Sequence, residues 1–301
     1  MTEKQTQHAT LILWSLAISA FAIGSTEFIS VGLLPLLVSQ FKISLAMASL
    51  TVSGYAFGVM IGAPVLTILT ARWNRHTLMV GIMVVFILGN LMAASAQNFA
   101  WLLVGRLIAA VIHGLFMSVS SVIAADVVAP SKRASAIALM FTGLTVATVT
   151  GVPLGTFVGQ HFGWRFSFLF LALIGLVSLL ATWILIPRNL PVGRPIQIKN
   201  IGRLIFDKKI LLALLLTIFG YGSTFTSYTY ISPIMTRLMH FQPSTVVIIL
   251  IVYGLMVAIG NTVDGRFANQ TPLTGLLWMF TLLTVTQLFL VCLLVSNGWD
   301  Y

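Results

Sequence analysis

An acidic side chain lies deep inside the first apolar stretch of the sequence. Glu27 has no other acidic residue at a comparable depth in any stretch. A carboxylate at the centre of a membrane helix costs about 2.5–3.5 kcal/mol on insertion scales, so it is rarely tolerated without a role. We therefore expect Glu27 to bind a proton. The alternative is a structural carboxyl group that stays protonated or bonds to a neighbour.

Arg106 is the matching cation, in the fourth apolar stretch. Arg106 and Glu27 both lie roughly 8–9 Å below the same end of their stretches, at 1.5 Å per residue. An ion pair at equal depth is therefore possible. Burial favours the neutral acid and a guanidinium favours the carboxylate, so the balance can change as a cavity opens. This balance is the physical basis for a proton switch, unless Arg106 instead extends to the nearby surface.

His113 lies seven residues after Arg106 and so shares its helical face. A histidine can relay protons near neutral pH, which makes His113 a third candidate for proton coupling. Packing, or an ordinary hydrogen bond to a neighbouring helix, is an equally good interpretation.

The seventh apolar stretch combines hydroxyl groups with aromatic rings between residues 221 and 230. Such a mixture can line a wet cavity for sugars or amphiphilic solutes. An aromatic belt at the membrane interface is the alternative, and it accounts best for Tyr228 and Tyr230. Tyr221 and Thr224 lie deeper and are the better candidates for contacting a solute.

The composition requires these side chains to be positioned by membrane helices. The sequence is 58% hydrophobic and 7% charged, with a mean hydropathy of +1.04, which excludes a water-soluble fold. No stretch alternates with the period of two that a membrane barrel needs. We predict an all-α integral membrane protein with nine spans of roughly 20 residues each. They lie near 11–33, 47–69, 77–96, 101–124, 136–158, 165–187, 210–231, 244–264 and 272–295.

The distribution of basic residues predicts the orientation. With the N-terminus inside, twelve cations fall on the inner side and Lys42, Arg165 and Arg237 on the outer side. This positive-inside bias predicts a multi-pass protein of the bacterial plasma membrane with a cytoplasmic N-terminus. The net charge of +10 then faces the anionic lipids of the inner leaflet, so we expect lipid partners and no nucleic acid.

A repeat predicts the organisation of the chain. At an offset of 198, Tyr55 matches Tyr253 and Gly62 matches Gly260. Two similar halves around a shared central site are typical of secondary transporters. The second copy stops after three spans, which we interpret as a truncation. The predicted parts are an N-terminal six-helix bundle, a cytoplasmic linker and a partial C-terminal bundle of three helices, at 1–187, 188–209 and 210–301.

Small residues recur in the fifth span, in the run Gly143, Gly151, Pro153 and Gly155. Glycines on one helical face allow close approach of another helix, and proline removes a backbone hydrogen bond and bends the span.

Taken together, the motifs resemble the major facilitator superfamily, in particular its drug:proton antiporters of the arabinose-efflux and sugar-efflux type. The first-helix run from Gly24 to Phe28 is similar to the signature of those permeases, and Arg106 to the family's proton-coupling arginine. The run in the fifth span resembles the exporter motif and implies a hinge between the halves. The resemblance also implies loop-gating roles for Arg72, Arg75, Asp126 and Arg266, and Asp126 could pair with either of the first two.

We therefore predict a monomeric, proton-coupled exporter of a small solute, either a sugar, a sugar analogue or a drug, working by alternating access. No enzyme activity, metal or cofactor is expected, because the sequence has no phosphate-cradling glycine loop and no Cys or His ligand cluster. The alternatives are a truncated chain without transport activity and a sugar importer or uniporter of the same fold.

Overall fold

The computed structural model describes the backbone of residues 3–188, 190, 207–270 and 272–296, and the side chains of 7–188, 190, 207–260 and 274–292. The predicted linker at 188–209 lies mostly outside the described residues.

Long helices make up the described chain. The first eight are α1 (Glu3–Phe41), α2 (Leu45–Leu69), α3 (Arg75–Ala94), α4 (Phe99–Val111), α5 (His113–Asp126), α6 (Arg133–Val146), α7 (Val152–Phe162) and α8 (Trp164–Leu185). The remaining four are α9 (Lys208–Thr229), the single turn α10 (Ile231–Pro233), α11 (Pro243–Gln270) and α12 (Pro272–Ser296). Within the described residues, nine segments are long and apolar enough to cross a membrane, as the sequence predicts.

Two of these segments are interrupted. The fourth is divided at Ile112, which separates α4 from α5. The fifth contains a π-helical turn at Ala147–Gly151, between α6 and α7. Pro153 lies two residues after that turn, and a proline both lacks a backbone donor and crowds the carbonyl four residues earlier, which here belongs to the turn. Widening the preceding turn relieves that conflict, which agrees with the distortion predicted there.

By their contacts the residues form two compact units, one within Met1–Ile196 and Tyr230–Leu255, the other within Gln197–Thr229 and Met256–Tyr301. In the first unit α1 packs against α2, α6, α7 and α8, and α3 packs against α4 and α8. In the second unit α9 packs against α12. The sequence-based division into two bundles joined at 188–209 remains a prediction.

The core of the first unit has an apolar cluster on each side of a polar layer. One cluster contains Ile23 of α1 and Phe86 of α3, and the other begins at Ile29 and Ala93 on the same two helices. Between the two clusters lies the polar layer, to which α1 contributes Thr26, α3 contributes Asn90 and α4 contributes Arg106. Burying this layer between apolar clusters lowers the local dielectric, which strengthens every interaction within it.

Candidate functional site

The guanidinium of Arg106 is the centre of the polar layer and is 1% exposed. Its Nε donates to the carbonyl of Thr51 at 3.1 Å, Nη2 donates to the carbonyl of Glu27 at 3.1 Å, and Nη1 donates to the carbonyl of Thr26. Its Cζ lies 4.3 Å from the centre of the Tyr55 ring, in a cation–π arrangement. Arg106 therefore joins α4 to α1 and α2, and the predicted alternative of a side chain reaching the surface is wrong.

Glu27 meets Arg106 through its backbone rather than its carboxylate. Within the part of the chain with described side chains, no carboxylate lies within 4.0 Å of the Arg106 guanidinium. The Glu27 side chain is partly exposed, whereas Arg106 is buried. The expected proximity is present, but the direct ion pair is not formed.

Tyr55 connects Arg106 to His113. The Tyr55 hydroxyl lies 3.3 Å from Nδ1 of His113, and the two rings are 6.0 Å apart at an angle of 68°. Both residues are buried, at 1% and 7% exposure. His113 is the first residue of α5, directly after the interruption at Ile112. The predicted hydrogen bond to a neighbouring helix is therefore present, while a proton-relay role remains a prediction.

Sequence reasoning missed four members of this layer: Thr26, Thr51, Tyr55 and Asn90. Thr26 Oγ1 donates to Asn90 Oδ1 at 3.5 Å, and Asn90 Nδ2 donates to the carbonyl of Phe86 at 2.9 Å. Asn90 is an amide in an otherwise apolar span, which is a usable signal for a buried polar contact. Thr51 contributes a backbone carbonyl, and that role leaves no trace in the sequence.

The glycines of the fifth span form a close seam against α1. A Cβ atom on Gly143 would lie 2.1 Å from the carbonyl oxygen of Ala17. On Gly151 it would lie 2.0 Å from Ser25 Oγ, and on Gly155 2.3 Å from Cδ1 of Ile29. The spacing of the glycines thus predicted a close approach correctly. This close approach places the π-helical turn beside the polar layer. The hinge role of the fifth span remains a prediction.

Two of the four predicted loop-gating residues, Arg75 and Asp126, are in contact. Arg75 Nη1 forms an ion pair with Asp126 Oδ2, so of the two predicted arginines it is Arg75 that pairs. Arg72 is exposed. Arg133 Nε donates to the carbonyl of Ala125 at 3.3 Å, next to that pair. Arg266 lies on the backbone of α11, but its side chain is outside the described residues.

The two candidate solute contacts lie on α9, in the second unit. Tyr221 is 56% exposed, and its ring lies 5.7 Å from that of Phe225. Thr224 is partly exposed and donates through Oγ1 to the carbonyl of Gly220 at 3.2 Å. Their predicted role as a cavity wall remains a prediction.

This fold and layer define a polytopic helical membrane protein with a buried cation among its spans. The family model described as Major Facilitator Superfamily matches residues 16–301, and the chain belongs to that family of transporters. The chain is 50% identical over 268 residues to the "Uncharacterized MFS-type transporter YtbD" of Bacillus subtilis (strain 168), covering 89% of this chain and 68% of that protein.

The chain is also 32% identical over 288 residues to the "Probable sugar efflux transporter" of Pasteurella multocida (strain Pm70), covering 95% of this chain and 70% of that protein. Among solved structures it resembles a bacterial homologue of the human lysosomal transporter Spinster in an inward-facing, unoccupied conformation. The TM-score is 0.71 at 19% identity, over 88% of this chain and 64% of that one. The chain thus spans about two-thirds of the length of these proteins.

Proposed function

We propose that this chain exports a small solute in exchange for inward-moving protons, by alternating access. Glu27 binds the proton, Arg106 tunes its binding, and the fifth span with Gly143, Gly151, Pro153 and Gly155 acts as the hinge. The single observation that carries the proposal is the state of Arg106. It is a buried cation held by three carbonyls and a ring, with the backbone of a membrane-embedded glutamate among its acceptors.

The proton step follows from electrostatics. A deprotonated Glu27 is a carboxylate next to a buried guanidinium, and opposite charges attract far more strongly in a low dielectric than in water. A protonated Glu27 loses that attraction, so its side chain is released toward the partly exposed position seen here. Proton binding thus changes which groups join α1 to α4. Such a change can bias a transporter between its two open states.

Alternating access is supported by contacts at the predicted outer end of the first unit. The Tyr230 hydroxyl donates to Ser49 Oγ at 3.4 Å, and Gln160 Nε2 donates to the carbonyl of Pro243 at 2.9 Å. Opening on that side has to break both bonds. A bifunctional methanethiosulfonate reagent that joins Ser49→Cys to Tyr230→Cys, in a chain with Cys292→Ser, should therefore stop transport until a reductant is added. Undiminished transport by the cross-linked chain would contradict the proposal of alternating access.

The proposed solute is a sugar or a sugar analogue, and a drug is the alternative. The name of the Pasteurella relative supports a sugar, and the hydroxyl of Thr224 and the ring of Tyr221 are suited to bind one.

The remaining parts of the proposal are a monomer in the bacterial plasma membrane, a cytoplasmic N-terminus and gating by Arg72, Arg75, Asp126 and Arg266. The Arg75–Asp126 ion pair supports the gating role.

Everted membrane vesicles test the export proposal. Respiration acidifies their lumen, and an exporter that exchanges solute for protons lets protons leave when the solute is added outside. Vesicles bearing the 301-residue chain should recover the fluorescence of an acidity-quenched acridine dye after addition of at least one pentose, hexose or lipophilic cation. Vesicles with Glu27→Gln should not, whereas Glu3→Gln, which alters the other glutamate of the chain, should leave the response intact. If no solute in the panel restores fluorescence, the proposed export activity is wrong for this chain.

A further inference from the structure

A cleft opens between the beginning of α1 and the end of α8, far from the polar layer. Its volume is about 530 Å³. Its apolar wall comes from the last turns of α8, and its polar end carries His8 and Arg188. The cleft therefore changes from apolar to basic along its length.

The apolar wall continues a stripe that runs down α8. The exposed members of the stripe recur every three or four residues and are Leu173, Leu176, Val177, Leu180, Trp183 and Ile184. This spacing places them on one helical face. A large exposed apolar face on a membrane span contacts acyl chains, so the cleft is the end of a lipid-facing surface. Trp183 stands at that end, where tryptophan is enriched at membrane interfaces.

The polar end is held in place by the beginning of α3 and by its N-cap residue, Asn74. Asn74 Nδ2 donates to the carbonyl of Arg188 at 2.9 Å, and His76 Nε2 lies 3.3 Å from the carbonyl of Trp183. These contacts fix the backbone on both sides of the end of α8, while the side chain of Arg188 stays exposed. A cationic group and an exposed imidazole, His8, are thus presented at a fixed place beside an apolar wall.

We propose that this cleft binds an anionic phospholipid, with its phosphate at Arg188 and His8 and its acyl chains along the stripe of α8. Charge and shape both point to this occupant. A free anion would leave the apolar wall empty, and an uncharged lipid would leave the guanidinium without a partner. The inference goes beyond export and depends only on the proposed orientation, which places this end at the anionic inner leaflet.

Tryptophan quenching in nanodiscs tests the proposal. The purified chain is placed in phosphatidylcholine discs that contain an equal small fraction of brominated phosphatidylglycerol or brominated phosphatidylcholine. The contribution of Trp183 is the difference between the unaltered chain and Trp183→Phe. We expect brominated phosphatidylglycerol to be enriched about fivefold at Trp183, the effect of one basic residue near a membrane surface. The Arg188→Gln variant should lose this enrichment while still being quenched by both lipids.

Arg72→Gln is the matched control, because Arg72 is also an exposed cation next to an exposed tryptophan, Trp73. It should keep the enrichment at Trp183. Native mass spectrometry gives a second measurement, in which Arg188→Gln should retain fewer phosphatidylglycerol molecules than Arg72→Gln. Equal quenching by the two brominated lipids in the unaltered chain would overturn the proposal. So would displacement of the brominated lipid by inorganic phosphate alone, or the same enrichment and lipid count in both arginine variants.

Discussion

Arg106 and Arg75 carry the same charge but are stabilised in opposite ways. Arg106 is buried and is held by three backbone carbonyls and an aromatic ring, and no described carboxylate lies within 4.0 Å of it. Arg75 is partly exposed and is held by the carboxylate of Asp126. The buried arginine thus depends on neutral groups that belong to the backbone. The loop arginine depends on one charged side chain that water can replace.

This difference determines how much each arginine contributes to the stability of the folded chain. An exposed ion pair is worth about 0–1 kcal/mol, because water and salt screen it. A buried charge that loses its partners, or a buried carbonyl that loses its donor, costs about 1–3 kcal/mol for each unsatisfied group. We infer that the polar layer holds the first unit together and that the loop ion pair makes a smaller contribution to its stability. Four sets of substitutions test this comparison, from the largest expected effect to the smallest.

Replacing Arg106 should have the largest effect. Arg106→Gln removes the charge and cannot supply all three donors, so we expect the free energy of unfolding to fall by about 3 kcal/mol. Arg106→Lys keeps the charge but loses the planar fork, so it should recover only part of that loss. Denaturant titration of the purified chain in mixed micelles measures both. A lysine variant as stable as the unaltered chain would mean that charge alone matters at this position.

The glycine seam provides a second test, with two matched positions. Gly143→Ala places a methyl group against the Ala17 carbonyl, which cannot move without its helix, whereas Gly155→Ala meets the flexible end of Ile29. Overpacking costs about 1–3 kcal/mol, and we expect Gly143→Ala at the upper end and Gly155→Ala at the lower. Thermal unfolding midpoints would rank the two variants. Gly54→Ala, with open space at its Cβ, is the control that should not destabilise.

Tyr55→Phe should have an intermediate effect. The ring under Arg106 remains, and the hydroxyl contact to His113 at 3.3 Å is lost, so we expect a loss of about 1 kcal/mol. Tyr55→Leu also removes the cation–π contact and should cost more. If the two variants unfold at the same denaturant concentration, the ring does not stabilise the guanidinium.

The loop pair should give the smallest effect on stability. Arg75→Gln and Asp126→Asn are each expected to lower the free energy of unfolding by less than about 1 kcal/mol. A double-mutant cycle should give a coupling energy in the same range, and it should shrink as salt is added. A coupling energy above that of the Tyr55 hydroxyl would remove the contrast between the two arginines.

The sequence was sufficient for much of the fold. Length and hydropathy predicted the nine segments that are long and apolar enough to cross a membrane within the described residues, because a bilayer sets a minimum length for every span. Pro153 predicted the distortion in the fifth span, since its consequences are local to the backbone. The interruption at Ile112 could not be predicted, because no proline or glycine occupies that position and neighbouring residues pack there from α2.

The site was predicted less completely. Glu27, Arg106 and His113 were found because a charged or ionisable group is conspicuous in an apolar span. Their partners were not, since a carbonyl such as that of Thr51 is present at every residue and only the packing of helices selects one. For the same reason the sequence showed that a Glu27–Arg106 ion pair was possible but could not show that the guanidinium bonds to the Glu27 backbone instead.

Proton coupling at Glu27 is the central claim, and transport by proteoliposomes with and without a pH gradient tests it most directly. The Glu27→Gln variant should lose accumulation driven by a pH gradient yet still exchange labelled for unlabelled solute, because exchange needs no net movement of protons. Glu27→Asp should retain part of the driven accumulation, and Glu3→Gln all of it. Driven accumulation by Glu27→Gln equal to that of the unaltered chain would contradict the account.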